Sequence, residues 1–339
     1  MIRDVLSRLT AGENLSEDEM TAVMEELFAG NLTPAQAGAF LAALATKGET
    51  FEELAAAART MRRLARKIQV TAPVVVDTCG TGGDGAETFN ISTTSAFVVA
   101  GAGVTVAKHG NRSVSSRCGS ADVLEALGIR IDVHPEVVEE AVHEIGIGFL
   151  FAPMYHTAMK HVAGPRKELG IRTIFNMLGP LTNPAGANCQ VLGVFAPELT
   201  EMFAEALRLL GVKRAFVVHG HDGLDEISVC APTRISEVNS TGVKTYDFYP
   251  EQYFGETASE DEMKGGDPEV NAAILKAVLG GKEQGPKRNV VLINSAAALV
   301  AAGKVENIKE GIELARKSID GGAALQKLEA LIDFTRSAV

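Results

Sequence analysis

The sequence predicts an α/β fold, with a small all-helical domain beside a larger α/β domain built on a central, mainly parallel sheet. Three features carry that expectation. Every signal from Ile2 to about Ile68 is helical; beyond Val70 short β-branched runs alternate with helical stretches; and the apolar run at residues 74–76 leads straight into a turn with four glycines in six residues, Gly80-Thr-Gly-Gly-Asp-Gly85. Alternating strand and helix signals assemble most simply as parallel strands with helical crossovers.

The N-terminal part contains three capping boxes in a row: Ser16 with Glu19, Thr33 with Gln36 and Pro34 at the first helical position, and Thr50 with Glu53. In each, a short hydroxyl side chain takes a free N–H of the first turn while the acid or amide three residues on reaches back. Val23, Leu27 and Phe28, then Phe40, Leu41 and Leu44, fall three or four apart, as in a small helical bundle. The last helix, expected over residues 51–68, ends in Arg59, Arg62, Arg63, Arg66 and Lys67, a solvated terminus that suits cations.

Strands are expected at residues 74–76, 104–107, 129–133, 148–151, 189–195 and 215–218, with helices over 92–102, 120–127, 135–145 and 198–210. Residues 156–184 break the rhythm with helical, Pro/Gly-punctuated sequence. Residues 1–70 therefore read as the helical domain, joined by a returning segment at about 156–184, and residues 71–155 and 185–339 as the α/β domain. Residues 239–268 read as a polar loop with few core candidates, followed by closing helices.

Bulk properties narrow the function. At 339 residues with 46% hydrophobic and 22% charged side chains, the chain can bury a two-domain core. A net charge of −11 opposes general nucleic-acid binding, so an anionic substrate needs a local cradle. The four cysteines, Cys79, Cys118, Cys189 and Cys230, have no zinc-type spacing, and a reducing, cytoplasmic setting is expected. Charges interrupt the first residues where a signal peptide needs an apolar stretch, and glycines interrupt the longest apolar run, so no membrane role is expected.

The glycine turn and the Asn90-Ile-Ser-Thr93 turn behind it form an anion cradle, because glycine lets backbone N–H groups converge on oxygen and a helix start adds unpaired N–H groups. The string satisfies G-x-G-x-x-G, yet a dinucleotide site fits badly: the helix waits until about Ser92 and no acid closes the second strand. That strand ends instead in Lys108-His-Gly-Asn-Arg-Ser-Val-Ser-Ser116, a second anion-friendly loop with Ser120 beyond it. Carboxyl ends of parallel strands face one crevice, so the two loops should share a ligand with more than one phosphate. The adjacent carboxylates Asp225 and Glu226 follow a third strand and suit Mg²⁺ held partly by phosphate and water. Arg166 could fork onto a carboxylate or lie free on the surface; Cys79 reads as packing; His109 is either a base or a pocket wall.

Together these blocks, with Gly164-Pro-Arg166, Asn176 to Pro184 and Lys264-Gly-Gly-Asp-Pro268, resemble the anthranilate phosphoribosyltransferase family over almost the whole chain. The resemblance implies a nucleoside-phosphorylase/phosphoribosyltransferase type of fold, a homodimer joined through helical parts, and transfer of phosphoribosyl from its pyrophosphate to anthranilate in tryptophan biosynthesis. It implies sugar-pyrophosphate contacts at Gly80, Gly83, Asp84, Thr88, Asn90, Ile91, Ser92, Thr93, Lys108, His109, Gly110, Asn111, Arg112, Ser113, Val114, Ser115, Ser116 and Ser120. It also implies anthranilate contacts at Gly80, His109, Asn111, Arg166 and Pro180, and Mg²⁺ at Ser92, Asp225 and Glu226, with no covalent or clear acid/base residue. Two rivals share the fold: a nucleoside phosphorylase, which needs no chelated metal, and a noncatalytic nucleic-acid-binding relative, which the acidic charge opposes.

Overall fold

The structure is a computed structural model and describes residues 1–113 and 117–338. Its N-terminal part is four helices, α1 (Ile2–Thr10), α2 (Glu17–Ala29), α3 (Pro34–Lys47) and α4 (Phe51–Leu64). All three capping boxes form, each hydroxyl accepting the N3 amide while the N3 side chain accepts the cap amide. Glu53 does more than cap. Fully buried, it accepts from the N–H of Leu15 at 2.8 Å and of Thr50 at 2.9 Å and pairs with the Lys47 ammonium at 2.9 Å, tying α3, α4 and the α1–α2 turn together.

The expected end of α4 at residue 68 is corrected to Leu64, where Ala65 turns extended. The arginines near it are mostly surface partners: Arg59 meets Glu17, Arg63 meets Glu25 and Arg66 meets Glu136, whereas Arg62 donates to the Leu181 carbonyl at 2.6 Å.

Seven strands form one sheet in the order β3-β2-β1-β4-β5-β6-β7, where β1 is Val76–Gly80, β2 Val106–Gly110, β3 Ile147–Phe151, β4 Cys189–Gly193, β5 Arg214–Gly220, β6 Thr233–Asn239 and β7 Gly242–Phe248. β1 to β5 run parallel, β6 runs antiparallel to β5, and β7 antiparallel to β6. Both faces are covered. Along β5, Phe216 and Val218 join a core with α5 (Ile91–Gly101) and the C-terminal helices, while Ala215 and Val217 point into a second core shared with α1–α4 and the helix Leu199–Leu209. Val162, Ile174, Phe175, Met177, Leu178 and Leu181, from the returning segment, lie in that second core.

The strand expected at residues 129–133 and the polar loop expected from residue 239 are corrected. Residues 129–133 are a bent connection: Ile129, Ile131 and Val133 are buried under helices, but β3 already occupies the open side of β2. Residues 233–248 are a hairpin, missed because its outer strand is half-exposed and polar, with Lys244, Thr245 and Asp247. The expected strands at 74–76 and 104–107 begin later and run on to Gly80 and Gly110, so Asp77, Lys108 and His109 sit in the sheet itself.

Replacing Glu53 with Ala would take the counter-charge from the buried Lys47 ammonium, which keeps only Asn14 and the Gly48 carbonyl, and the acceptor from the N–H groups of Leu15 and Thr50. The expected loss is about 3 kcal/mol, against about 1 kcal/mol for Gln36→Ala, which removes one surface cap partner; urea unfolding of both variants checks the ratio.

Candidate active site

The floor of the site is set by a polar residue in the middle of a strand. Asp77, wholly buried, accepts from the His109 N–H at 3.2 Å and from the Asn183 amide at 2.8 Å, and Asn183 also donates to the Ala107 carbonyl at 2.7 Å. Burial pushes the Asp77 carboxyl up to about 6, with Lys108 and these donors opposing the shift. The interaction holds the ends of β1 and β2 level.

From that floor the chain leaves β1 in a loop that only glycine can follow: Gly82, Gly83 and Gly85 have φ of +64°, +79° and +74°. The Thr81 N–H donates to the Gly193 carbonyl at 2.9 Å and the Gly82 N–H to Asp225 Oδ2 at 3.0 Å. Among the described residues no acceptor takes the N–H groups of Gly83, Asp84 or Gly85. The Gly83 carbonyl points the other way and accepts from Arg172 at 2.7 Å.

The start of α5 completes the cradle. The Ser92 N–H donates to Glu226 Oε1 at 3.1 Å, and the Lys108 ammonium, nearly excluded from water, donates to Ser92 Oγ at 3.3 Å and to the Thr78 carbonyl. Burial pulls Lys108 down; Asp77, Glu226 and Asp225 pull it back. Glycine is again required where backbones meet: a Cβ at Gly80 would lie 2.5 Å from Asp225 Oδ2, and one at Gly193 would overlap the Asp225 carbonyl. Gly82, Lys108 and Glu226, from three separate strand ends, thus share one set of contacts.

Asp225 and Glu226 face each other's charge and that of Asp84, whose carboxylate accepts the Asp225 N–H at 3.4 Å. Withdrawal from water, with these like charges adding, pushes both carboxyls up. Such a cluster fits a divalent cation. Among the described residues no three His, Cys, Asp or Glu side chains close around one point, so the donor set suits a hard ion completed by water or phosphate rather than zinc.

The second loop is braced by helix Ser120–Leu127. The Asn111 carbonyl accepts from Ala121, the Ser113 N–H donates to Asp122 at 3.1 Å, and Thr93 Oγ1 donates to Ser120 Oγ at 3.1 Å. Gly110 packs against Phe149, where a Cβ would come within 2.8 Å of the ring. The Arg112 guanidinium is engaged by Asp122 and Glu125. Val114, Ser115 and Ser116 lie outside the described residues. Ile91 is buried and offers backbone only. Thr88 bridges to Lys264, and behind it Asn271 donates to Asn90 at 3.0 Å while accepting the Gly266 N–H at 2.8 Å.

Beyond the cradle, His109 Nδ1 lies 3.1 Å from the Gly179 carbonyl, which fixes the proton on that nitrogen. Its Nε2 is buried with no partner among the described residues, and the ring of His156, also buried, meets it edgewise at 5.1 Å with the Thr182 backbone close by. Burial lowers His109 to about 3 and His156 to about 4. Pro180 is buried and its carbonyl accepts from Gln190 at 2.6 Å. Arg166 lies over the Phe175 ring at 5.3 Å with no carboxylate partner among the described residues. The Cys79 thiol is pushed well above its ordinary value by burial, in keeping with a packing role. His219 Nδ1 sits 2.7 Å from the Val194 carbonyl and so supports the third strand end.

Sequence reasoning assigns no individual role to Asp77, His156, Arg172, Asn183, Gln190, Gly193 or Asn271. The Asn176–Pro184 and Lys264–Pro268 motifs flag the neighbourhoods of Arg172, Asn183 and Asn271; a lone strand Gln or Gly gives no such signal.

A helical bundle beside a mainly parallel sheet, with two loops and a carboxylate pair at its strand ends, defines the chain as a glycosyl transferase of two-domain type. Residues 3–65 match the family described as glycosyl transferase family, helical bundle domain, and residues 72–325 match glycosyl transferase family, a/b domain. The chain is 68% identical to the anthranilate phosphoribosyltransferase of Desulfosudis oleivorans and 67% identical to that of Syntrophobacter fumaroxidans, each over 99% of both chains. Among solved structures it superposes with TM-score 0.93 on the anthranilate phosphoribosyltransferase of Thermus thermophilus, at 47% identity and covering 98% of this chain and 99% of that one. With the Saccharomyces cerevisiae enzyme, solved in complex with PRPP and Mg, the TM-score is 0.91 at 32% identity, covering 99% of this chain and 98% of that one. The chain belongs to the anthranilate phosphoribosyltransferase family.

Because His109 and His156 are held neutral, the unfolded chain binds more protons than the folded one between their folded values of about 3 and 4 and the ordinary value of 6.5. This pair should therefore cost stability as pH falls through that window, on the order of 2 kcal/mol for each histidine by pH 5. Thermal melts of His109→Gln and His156→Gln, each with a smaller drop between pH 7 and pH 5 than the wild type, would bear this out.

Proposed function

We propose that the protein transfers the phosphoribosyl group of 5-phosphoribosyl 1-pyrophosphate to the amine of anthranilate, giving N-(5-phosphoribosyl)anthranilate and pyrophosphate, in tryptophan biosynthesis. The reading rests on family membership and on one geometric observation. The Asp225–Glu226 pair is pinned by backbone N–H groups from both phosphate-type turns, through Gly82 and Ser92.

In this assignment the unpaired amides of the glycine loop, Asn90 to Thr93 and the Lys108 loop hold the sugar pyrophosphate. Ser92, Asp225 and Glu226 hold Mg²⁺, which when bound neutralises charge on the departing pyrophosphate. Arg166, whose guanidinium has no carboxylate partner among the described residues, takes the anthranilate carboxylate as a planar fork. The aniline nitrogen is already a neutral nucleophile, so the protein's own work is to hold it against the ribose C1 carbon. His109 contributes a neutral ring that keeps its Nδ1 proton on Gly179 and leaves the acceptor site Nε2 bare.

In this reading residues 1–70 with 156–184 form the helical unit, which shares its core with one face of the sheet, and the remainder forms the α/β unit. The protein acts as a homodimer through its helical part and works in the cytoplasm, a setting suited to its four free cysteines. No helix among the described residues is long and apolar enough to cross a membrane.

Loss of anthranilate fluorescence on mixing protein, Mg²⁺ and sugar pyrophosphate tests the reaction; metal-independent phosphorolysis of nucleosides would replace it with the phosphorylase reading. Arg166→Ala should raise the KM for anthranilate by at least about tenfold while leaving the KM for the sugar pyrophosphate nearly unchanged. Asp225→Asn with Glu226→Gln should cut turnover by about a hundredfold and flatten its dependence on Mg²⁺ concentration.

A further inference from the structure

Arg172 lies between the helix Lys160–Leu169 and the helix Phe175–Leu178, on the returning segment, yet it makes its contacts with the α/β part. Its guanidinium stacks on the Phe195 ring, 4.1 Å from the centroid, and its Nη2 donates to the Gly83 carbonyl at 2.7 Å. Phe195 in turn is fixed to the base of the glycine loop, its N–H donating to Thr81 Oγ1 at 3.1 Å. One side chain therefore grips the loop at two places, through a neighbour at its base and directly at its tip.

The grip acts on a particular peptide plane. A trans peptide holds its C=O and N–H antiparallel, so fixing the Gly83 carbonyl on Arg172 turns the Asp84 N–H the opposite way. That N–H has no acceptor among the described residues. Gly83, itself at positive φ, carries one of the two bonds about which this plane turns, so without a clasp the plane would rotate easily. A guanidinium is well matched to this clasp, because its planar face is held by an aromatic ring while one donor makes a charge-assisted bond, a combination that a lysine cannot reproduce.

We propose that Arg172 is a positioning residue for diphosphate binding, orienting the Gly83–Asp84 peptide so that its amide is presented to the anionic substrate. The inference rests on the reading that the glycine loop takes the sugar pyrophosphate. Arg172 does not touch the reacting atoms, and its effect is confined to one of the two substrates.

The test measures both Michaelis constants for the full-length protein with Mg²⁺, comparing wild type with Arg172→Leu, Arg172→Lys and Phe195→Leu. Arg172→Leu should raise the KM for the sugar pyrophosphate roughly tenfold, the equivalent of one charge-assisted hydrogen bond, with the KM for anthranilate within about twofold of wild type. Arg172→Lys and Phe195→Leu should each fall between the two. Calorimetric binding of Mg²⁺ with inorganic pyrophosphate alone should show the same order. An unchanged KM for the sugar pyrophosphate in Arg172→Leu would overturn the role. So would a parallel rise in both constants with a lowered melting temperature, which marks a merely structural contact. Absence of turnover in the wild type would overturn the underlying reading itself, a result distinct from either.

Discussion

The arrangement at the strand ends depends on a charge imbalance that the fold holds in place. Lys108 is a buried cation placed among Asp77, Asp225 and Glu226, and it is fixed by the Thr78 carbonyl and Ser92 Oγ rather than by any of those carboxylates. A buried ammonium is tolerated only where hydrogen bonds and nearby negative charge replace water. Here the negative charge exceeds what one lysine can answer. Asp225 and Glu226 respond by holding protons more tightly than usual, an imbalance that favours a further cation.

The carboxylate pair sits where it does because backbones approach more closely than side chains allow. Gly193 closes β4 directly against the Asp225 carbonyl, and Gly80 closes β1 against the Asp225 side chain. Parallel strands bring their carboxyl ends to one edge, but the glycines bring the segment after β5 within reach of two amides, one in the loop after β1 and one in the first turn of α5. An alanine at residue 193 would push the carboxylate pair away from Gly82 and Ser92, so this glycine governs the geometry without offering any group to a ligand.

Much of this was legible in the sequence, and the limits have physical causes. Capping boxes read true because they are local: both partners lie within four residues. The parallel core strands read true because burial on both faces leaves a nearly continuous apolar run. Their ends extend past the apolar runs, since Asp77, Lys108 and His109 look like loop residues until their long-range partners, Asn183, Ser92 and Gly179, are known. The β6–β7 hairpin is hidden by its wet face, and residues 129–133 show real burial under helices but pair with no strand. In the site, the glycine loop, the Lys108 loop and the carboxylate pair announce themselves by composition. Arg172, Asn271 and His156 act through partners far away in the chain, at Gly83, Asn90 and His109, and no local pattern encodes such a pairing.

The scarcity of free cations bears on how an acidic chain could bind two anionic substrates. Net charge is −11, Arg112 is engaged by Asp122 and Glu125, and Lys108 is buried among acids. On the proposed assignment, attraction for the diphosphate must come largely from fixed backbone dipoles and from the ion held by Asp225 and Glu226, while the anthranilate carboxylate meets Arg166. Amides at short range are little affected by dissolved salt, unlike an exposed basic patch acting across a Debye length. The same division explains why glycine is so frequent at the cradle: a surface that cannot rely on positive side chains must bring its main chain into contact with the ligand, and every Cβ removed makes that approach possible.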